Sequence, residues 1–296
     1  MSLITKTVVV TGATAGIGWQ TALDFAKAGA FIIGIGRNPQ RCLDAETKIK
    51  NLVPDAQIQY LVADLSSQDQ IHECAQKIAL VLKDHQKNAL DVLVNNAGVY
   101  MGQKTFTKEG IETTFAVNHL APFLLTHLLL PLLTKSADSR VITVSSDSHY
   151  NTLLFPERAK NPFFFFGLFA YKTSKLCNIL FSYEFNRLRN GSLPRAFAVD
   201  PGLVNTDIGL KDTGGLAQWI WRSRQKLGVP PEEPARTILY LADRPEVLDS
   251  AEIYWYQCHP KKPARNATDP NLARRLWKES CALTGIPLGE GEENVR

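Results

Sequence analysis

A strand-like segment runs directly into three glycines in the stretch Thr7-Val8-Val9-Val10-Thr11-Gly12-Ala13-Thr14-Ala15-Gly16-Ile17-Gly18. Its β-branched start predicts a strand, and the amphipathic pattern that follows predicts a helix. Glycine permits a tight turn and lets backbone N–H groups approach a pyrophosphate at the helix N-terminus. This strand-to-helix context predicts a dinucleotide-binding turn, with a merely structural turn as the alternative. The candidate contacts are Gly12, Thr14, Ala15, Gly16, Ile17 and Gly18.

The same alternation of short β-branched runs and amphipathic stretches continues along the chain. The predicted strands are Thr7–Thr11, Phe31–Ile35, Gln57–Ala63, Val92–Asn95, Arg140–Ser145, Ala196–Asp200 and a final short run, Glu252–Tyr256. The predicted helices are Gly18–Ala28, Pro39–Lys50, Gln68–Gln86, Ile111–Leu133 and Lys172–Arg189. Strand and helix in turn require crossover connections, so the pattern predicts an α/β fold with a doubly wound parallel sheet. Ligands of such sheets bind at the carboxyl ends of the strands.

Composition excludes several classes of protein. The chain has 296 residues, of which 45% are hydrophobic and 21% charged, so a disordered protein and a membrane bundle are both excluded. A net charge of +4 is too small for a nucleic-acid footprint. The five cysteines are dispersed, which indicates reduced intracellular thiols and neither a disulfide framework nor a metal site.

The sequence favours a cytoplasmic protein. Met1–Lys6 leads directly into the first strand, without the pattern of a signal peptide. The most apolar later stretch, His119–Leu133, has 15 residues, whereas a membrane span needs roughly 20. Tryptophans interleaved with basic side chains in segment 219–226 fit a substrate lid, an amphipathic core helix or a peripheral membrane contact, and these alternatives remain open.

The end of the second predicted strand distinguishes between two cofactors. An NAD site places a carboxylate there to bind the ribose 2′-hydroxyl. This chain has Gly36 followed by Arg37, whose guanidinium can pair with a 2′-phosphate. The sequence therefore favours NADP(H), and the alternative is that Arg37 is a solvated residue at the start of a helix.

Tyr171 and Lys175 are four residues apart in a helical pattern, so they share one face of the helix. A free tyrosine, with a pKa of about 10, exchanges protons poorly at neutral pH. A neighbouring ammonium favours the phenolate, so we expect Lys175 to lower the pKa of Tyr171 toward a catalytically useful range.

Six motifs occur together in a fixed order: Thr11–Gly18, Asn95–Gly98, Asn118, Ser146, Tyr171 with Lys175, and Pro201-Gly202. In this order and spacing the chain resembles the short-chain dehydrogenase/reductase family over roughly residues 5–260, which implies a Rossmann-type fold. Closer likeness to the retinol dehydrogenase branch lies in Val117-Asn118-His119-Leu120 and Ala273-Arg274-Arg275-Leu276-Trp277. The run Tyr171–Asn178 is also similar to the light-dependent protochlorophyllide reductases, a sister group.

The resemblance implies a role for each matching residue. Tyr171 would be the general acid in carbonyl reduction, Lys175 would bind the nicotinamide ribose, Ser146 would hydrogen-bond the substrate oxygen, and Asn118 would hold a water in a proton relay. The adenosine half of the cofactor would be bordered by Asp64, Leu65, Asn95, Ala97 and Gly98. The nicotinamide would be bordered by Pro201, Gly202, Val204 and Thr206, with the Thr206 hydroxyl on the carboxamide.

Substrate contacts are expected from the loops at 149–170 and 207–235 of a catalytic domain spanning residues 1–260. The first loop holds four consecutive phenylalanines, Phe163–Phe166, which favour an apolar pocket over core or dimer packing. Candidate substrate contacts are Ser146, His149, Phe166 and Tyr171. Residues 261–296 form a C-terminal extension that is expected to pack on or near the substrate side.

These inferences predict an enzyme that transfers hydride between NADPH and an apolar carbonyl or alcohol, such as a retinal-like or other long aldehyde or ketone. A protochlorophyllide-type double-bond reductase is an alternative. A non-catalytic NADP(H)-binding sensor is another, although the presence of all four candidate catalytic residues disfavours it. The expected partner is a small apolar substrate, with no nucleic acid, and the chain is expected to be a monomer or a homodimer.

Overall fold

A mixed sheet of eight strands forms the centre of the part of the chain that the structure describes. The computed structural model describes residues 3–204 and 228–288. The strands are β1 (Thr7–Thr11), β2 (Phe31–Gly36), β3 (Ile58–Val62), β4 (Val92–Asn95), β5 (Arg140–Val144), β6 (Arg195–Val199), β7 (Tyr254–Tyr256) and β8 (His259–Pro260). Their order is β3-β2-β1-β4-β5-β6-β7-β8, and all neighbours are parallel except β7 and β8. The predicted doubly wound α/β fold is confirmed.

Helices cover both faces of the sheet. The longer helices of the described residues are α1 (Gly16–Lys27), α2 (Pro39–Leu52), α3 (Gln68–Asp84), α4 (Thr113–Leu133), α5 (Gly167–Arg189), α6 (Glu232–Asp243) and α7 (Pro270–Thr284). Alternate residues of β1 point to opposite faces, as strand geometry requires. Val9 belongs to the apolar core under α3, α4 and α5, whereas Val8 and Val10 belong to the core under α1 and α6.

Every predicted strand is present, with ends within two residues of the prediction, because buried β-branched runs leave little choice of structure. The helices α6 and α7 were not predicted, and the largest boundary error among the predicted helices concerns α5, which begins at Gly167 and not at Lys172. The residue before it, Phe166, provides no side-chain cap, so the usual polar start signal is missing. A Cβ at Gly167 would lie 2.2 Å from the Met101 carbonyl oxygen, so only glycine fits where this helix starts.

The most apolar helix is a core element. Within the described residues, α4 alone is long and apolar enough to cross a membrane. An 18-residue window of this helix has a mean hydropathy of 1.5, but 72% of the window is buried in the fold. All five cysteines lie in the described part of the chain and are free thiols.

Candidate active site

The glycine turn is folded tightly against the end of β4. Gly12 and Gly16 have positive φ angles of 64° and 54°, which favour glycine. A Cβ at Gly12 would lie 2.9 Å from the Ala97 Cα, and a Cβ at Gly18 would lie 2.3 Å from the Gly12 carbonyl oxygen. The loop therefore depends on glycine at positions 12 and 18. It brings the N-terminus of α1 to the carboxyl end of the sheet.

The first turn of α1 is left without a side-chain cap. Its N-cap residue, the exposed Ala15, makes no capping hydrogen bond, and the turn contains no acidic residue. The half-buried Thr14 lies beside it, and its Cγ2 would be 2.4 Å from a Cβ at Gly36. Ile17 packs on the core beneath. Uncapped N–H groups at a helix N-terminus are suited to bind an anion.

Two residues that the sequence reasoning missed hold this turn in place. The Asn96 amide donates to the carbonyl oxygens of Thr11 at 2.8 Å and Gly12 at 3.3 Å. The Tyr60 hydroxyl donates to the Ala13 carbonyl at 2.7 Å. Asn96 stands within the quoted Asn95–Gly98 motif, so its type and position could have identified it. Tyr60 lies on β3, and no local pattern in the sequence marks it.

The residues predicted around the adenosine lie at the ends of β2, β3 and β4. Arg37 is exposed immediately after β2. The Asp64 carboxylate accepts from the backbone and hydroxyl of Ser66, and Leu65 packs on the core. Asn95 is buried, and its amide donates to the Thr126 hydroxyl at 3.2 Å. The Asn95 side chain is therefore turned toward α4.

Asn118 lies in a π-helical turn, Ala116–Leu120, within α4. Such turns are rare and often occur at functional sites. The Asn118 Oδ1 accepts from the Val99 N–H at 2.7 Å, and its Nδ2 donates to the Val99 carbonyl and to the Ser174 hydroxyl, both at 2.9 Å. Asn118 thus joins the loop after β4 to helix α5.

Lys175 is buried at the end of β5. Its Nζ donates to the Val144 carbonyl oxygen at 2.9 Å, and the Ser145 hydroxyl donates to the Lys175 carbonyl at 2.7 Å. A Cβ at Gly98 would lie 3.6 Å from Lys175 Nζ and 3.4 Å from Asn118 Oδ1, so both side chains face the same glycine. Burial lowers the pKa of Lys175 from 10.5 to about 8.

Tyr171 precedes Lys175 by one helical turn, with its ring centroid 5.4 Å from Lys175 Nζ and 6.0 Å from the ring of Tyr100. The prediction that Lys175 lowers the pKa of Tyr171 is wrong for this arrangement. Burial raises the pKa of Tyr171 above its ordinary value, and the carboxylates of Asp147 and Asp200 raise it further. The Lys175 ammonium is directed to a backbone carbonyl, and the phenol remains protonated at neutral pH.

Ser146 caps a short turn at the end of β5. Its hydroxyl oxygen accepts from the Ser148 N–H at 3.1 Å, and the hydroxyl donates to Asp147 Oδ1 at 3.3 Å. The Asp147 N–H in turn donates to Asp200 Oδ1 at 3.2 Å. The loop with Ser146 is therefore tied to the end of β6.

The two other candidate substrate contacts have opposite environments. His149 is fully buried, with Nδ1 2.7 Å from the Ser146 carbonyl and Nε2 accepting from the Ala264 N–H at 3.0 Å. Because both ring nitrogens bond to backbone, the expectation that His149 contacts substrate is not supported, and the residue fastens this loop to the C-terminal segment. Phe166, in contrast, is 73% exposed.

The segment predicted to border the nicotinamide follows β6. Pro201 is half-buried, and the Gly202 N–H donates to Asp200 Oδ1 at 2.9 Å, with Gly202 at a φ of 70°. Val204 forms an isolated parallel bridge with Val229. Thr206 lies outside the described residues, as do segment 219–226 and most of the loop predicted at 207–235.

The geometry thus gathers the loops after β1, β4, β5 and β6 at one edge of the sheet, with Asn118, Tyr171 and Lys175 beside them. Comparisons with known proteins find the same family throughout. Human polyprenol dehydrogenase is 35% identical over 292 residues, which cover 95% of this chain and 86% of the relative. Human retinol dehydrogenase 13 is 36% identical over 298 residues, covering 95% of this chain and 85% of the relative.

Solved structures agree with these sequence matches. A crystal structure of an uncharacterized protein from Mycobacterium paratuberculosis has a TM-score of 0.73 and 28% identity, with 97% of each chain covered. The sequence model of the family described as short chain dehydrogenase matches residues 6–213. The relatives cover nearly the whole chain, and the family match spans the glycine turn and the segment of Asn118, Ser146, Tyr171 and Lys175. The chain therefore belongs to the short-chain dehydrogenase/reductase family, among retinol dehydrogenase-like members.

Proposed function

We propose that this protein is an NADPH-dependent reductase of apolar aldehydes or ketones. The observation that carries the proposal is the convergence of Asn118 and Lys175 on Gly98, with the Tyr171 ring one turn away on the same helix as Lys175. A phenol and a buried amine at one site suit hydride transfer to a carbonyl, in which the protein supplies a proton donor and orients the cofactor.

The glycine turn fits the pyrophosphate of a dinucleotide. The uncapped N–H groups of α1 would hold the phosphate oxygens, since nothing acidic in the first turn repels them. The exposed Arg37 supports a 2′-phosphate, and therefore NADP(H), because a guanidinium binds phosphate bidentately. When bound, the reduced nicotinamide supplies the hydride.

The protein's own groups manage the oxygen and the proton. The Tyr171 hydroxyl, kept protonated, donates its proton to the carbonyl oxygen as negative charge develops there. The Ser146 hydroxyl donates to the same oxygen. To do so it gives up its hydrogen bond to Asp147 Oδ1, which costs little because that bond is long, at 3.3 Å. Asn118 Oδ1 keeps one lone pair beyond its bond from Val99, and this lone pair can order a water that returns a proton to Tyr171.

Several observations favour an apolar substrate. Phe163, Phe164 and Phe166 are 82%, 76% and 73% exposed in the loop that precedes Tyr171, and Leu203 after β6 is also exposed. Such a cluster of exposed apolar side chains marks a binding surface. The names of the relatives specify retinol and polyprenol, both of which are long apolar alcohols.

We also propose that the extension at 261–296 supports the substrate side of the catalytic domain. Arg275 makes a bidentate ion pair, at 2.7 and 2.8 Å, with Glu157 in the loop at 149–170. The Asn266 amide donates to the Thr152 carbonyl at 2.7 Å in the same loop. These contacts fix the described part of the extension to the segment that precedes Tyr171.

The test is hydride transfer followed by nicotinamide absorbance. The protein is mixed with NADPH or NADH and with retinaldehyde, a long saturated aldehyde or the polar control glyceraldehyde. We expect turnover on the apolar substrates with NADPH, and a loss of at least about a hundredfold in Tyr171→Phe. Tyr183→Phe, a half-buried tyrosine further along the same helix, is the matched control and should retain its activity.

Three results would count against the proposal. The proposal is refuted if no carbonyl is turned over, or if the Tyr171→Phe substitution leaves the turnover unchanged. Activity that requires light would favour the double-bond reductase alternative. Tight NADPH binding with no hydride transfer to any substrate would favour the sensor.

A further inference from the structure

A single buried carboxylate connects two loops of the site to the C-terminal segment. The Asp200 side chain is fully buried at the end of β6. Its Oδ1 accepts from the N–H groups of Asp147 at 3.2 Å and Gly202 at 2.9 Å. Its Oδ2 lies 2.5 Å from the ammonium of Lys261. Each oxygen of this carboxylate is therefore engaged.

The two backbone donors belong to the loops that handle the reacting groups. Asp147 directly follows Ser146, the predicted donor to the substrate oxygen. Gly202 belongs to the segment predicted to border the nicotinamide, and Asp200 Oδ1 accepts from its N–H. A displacement of the Asp200 carboxylate would therefore move both loops relative to Tyr171.

Lys261 is itself held firmly. Its backbone N–H donates to the Tyr254 carbonyl at 2.8 Å, which extends the pairing of β7 and β8. Its ammonium lies 4.9 Å from the ring centroid of Tyr256, 5.7 Å from that of Tyr150 and 5.9 Å from that of Tyr254. Rings at these distances attract a cation. This environment selects a cation at position 261 and directs it at Asp200.

We propose that Lys261 is a positioning residue for the reaction: its ammonium fixes the Asp200 carboxylate, and through it the Ser146 and Gly202 loops, and offsets the negative charge beside Tyr171. The proposal rests on the proposed function, in which Tyr171 donates the proton. It explains why a residue outside the catalytic motifs, at the start of the C-terminal extension, belongs to the site.

The charges around Tyr171 give the sign of the effect. The carboxylates of Asp147 and Asp200 both raise the pKa of Tyr171. His149, Tyr150 and Tyr254 face the same cluster, and burial lowers the pKa of His149 and raises the pKa of both tyrosines, so all three are neutral at pH 7. Among the described residues Lys261 is the cation paired with Asp200, whereas Lys175, whose ammonium lies 5.4 Å from the Tyr171 ring centroid, donates to the Val144 carbonyl. Removal of Lys261 leaves Asp200 uncompensated and should raise the pKa of Tyr171 further.

The experiment compares Lys261→Met with Lys261→Arg, which keeps the cation, and with Lys262→Met, the exposed neighbour. Alcohol oxidation, which requires the phenolate, is measured against pH. For Lys261→Met we expect kcat to fall about tenfold or more and the rising limb of the profile to move up by about 0.5–1 pH unit. Lys261→Arg should restore most of kcat and the original limb, and Lys262→Met should match the wild type.

A second readout does not depend on turnover. Amide hydrogen exchange of peptides containing Asp147 and Gly202 should become faster in Lys261→Met, under conditions where its thermal unfolding remains cooperative, and stay unchanged in Lys262→Met. Wild-type exchange and an unshifted limb in Lys261→Met would overturn the proposal. A wild type without Tyr171-dependent turnover would instead refute the proposed function, and the exchange measurement would still decide whether Lys261 fixes the two loops.

Discussion

Replacing Gly18 with alanine tests the glycine turn directly. Gly18 is in the first turn of α1, where alanine is intrinsically favoured over glycine by about 1 kcal/mol, so any harm must come from the added Cβ. That atom would lie 2.3 Å from both the Gly12 carbonyl oxygen and the Asn96 amide nitrogen. Ordinary contact begins near 3.5 Å, so the turn and the helix must separate by about 1 Å.

The consequence for binding follows from hydrogen-bond geometry. A shift of about 1 Å lengthens an N–H···O bond of roughly 2.9 Å beyond the limit of a hydrogen bond. One such bond to a charged phosphate contributes about 1.5–3 kcal/mol, so we expect the Kd for NADPH to rise at least about tenfold. Overpacking costs about 1–3 kcal/mol of the free energy of unfolding, which the gain in helix propensity partly offsets.

The control must lose stability without touching the site. Gly191→Ala serves this purpose, because Gly191 has a φ of 83°, no atom lies within 4 Å of its added Cβ, and it follows the distal end of α5. A left-handed alanine costs about 1–2 kcal/mol. Fluorescence titration of NADPH and urea unfolding of both variants provide the measurements. A Kd within about twofold of the wild type in folded Gly18→Ala would refute the assigned role of the turn.

Three further perturbations extend the test. Arg37→Glu should raise KM for NADPH about tenfold or more and change KM for NADH little, because only NADPH carries the 2′-phosphate; steady-state kinetics with both cofactors checks this. Lys175→Met should abolish turnover yet raise the free energy of unfolding at pH 7 by about 1–3 kcal/mol. Burial lowers the pKa of Lys175 to about 8, so the charged lysine destabilises the folded state at pH 7, and methionine removes that cost. The gain should vanish as pH rises from 8 toward 10.5, and urea unfolding at both ends of that range measures it. Replacing Phe163 and Phe164 with serine should raise KM for a long apolar aldehyde several-fold. The free energy of unfolding should change by less than about 1 kcal/mol, because both side chains are exposed. Steady-state kinetics and thermal melts of the variant measure the two effects.

The sequence predicts the framework well where local and tertiary preferences agree. The β-branched runs of β1 and β4 are buried on both faces, so their strand identity needs no further information. The glycines of the turn are also recognisable in the sequence, because few other contexts place several glycines between the end of a strand and the first turn of a helix. Asn118 and Lys175 were identified from their motifs, and the structure adds that both face Gly98.

What the sequence could not predict depends on contacts between distant segments. The start of α5 is set by Gly167 against the Met101 carbonyl, a contact that no local pattern encodes. Tyr60 reaches the glycine turn from 47 residues away. Lys261 meets Asp200 across 61 residues, although its place in the short basic stretch Lys261–Arg265 is typical of a solvated surface. Long-range polar contacts of this kind leave no periodicity for a pattern to detect.

The ionisation of Tyr171 shows how far spacing alone can mislead. Two residues four apart on a helix do share a face, but the ammonium of Lys175 is directed to Val144, and the carboxylates of Asp147 and Asp200 act on the phenol instead. Burial acts on both residues in the direction of the neutral form, raising the pKa of Tyr171 and lowering that of Lys175. A phenol that keeps its proton is ready to donate it, so carbonyl reduction begins from the resting protonation state, whereas alcohol oxidation must first remove that proton. In the proposed reaction the carboxylates of Asp147 and Asp200 would therefore favour reduction at neutral pH, and the proposed role of Lys261 would be to limit that effect.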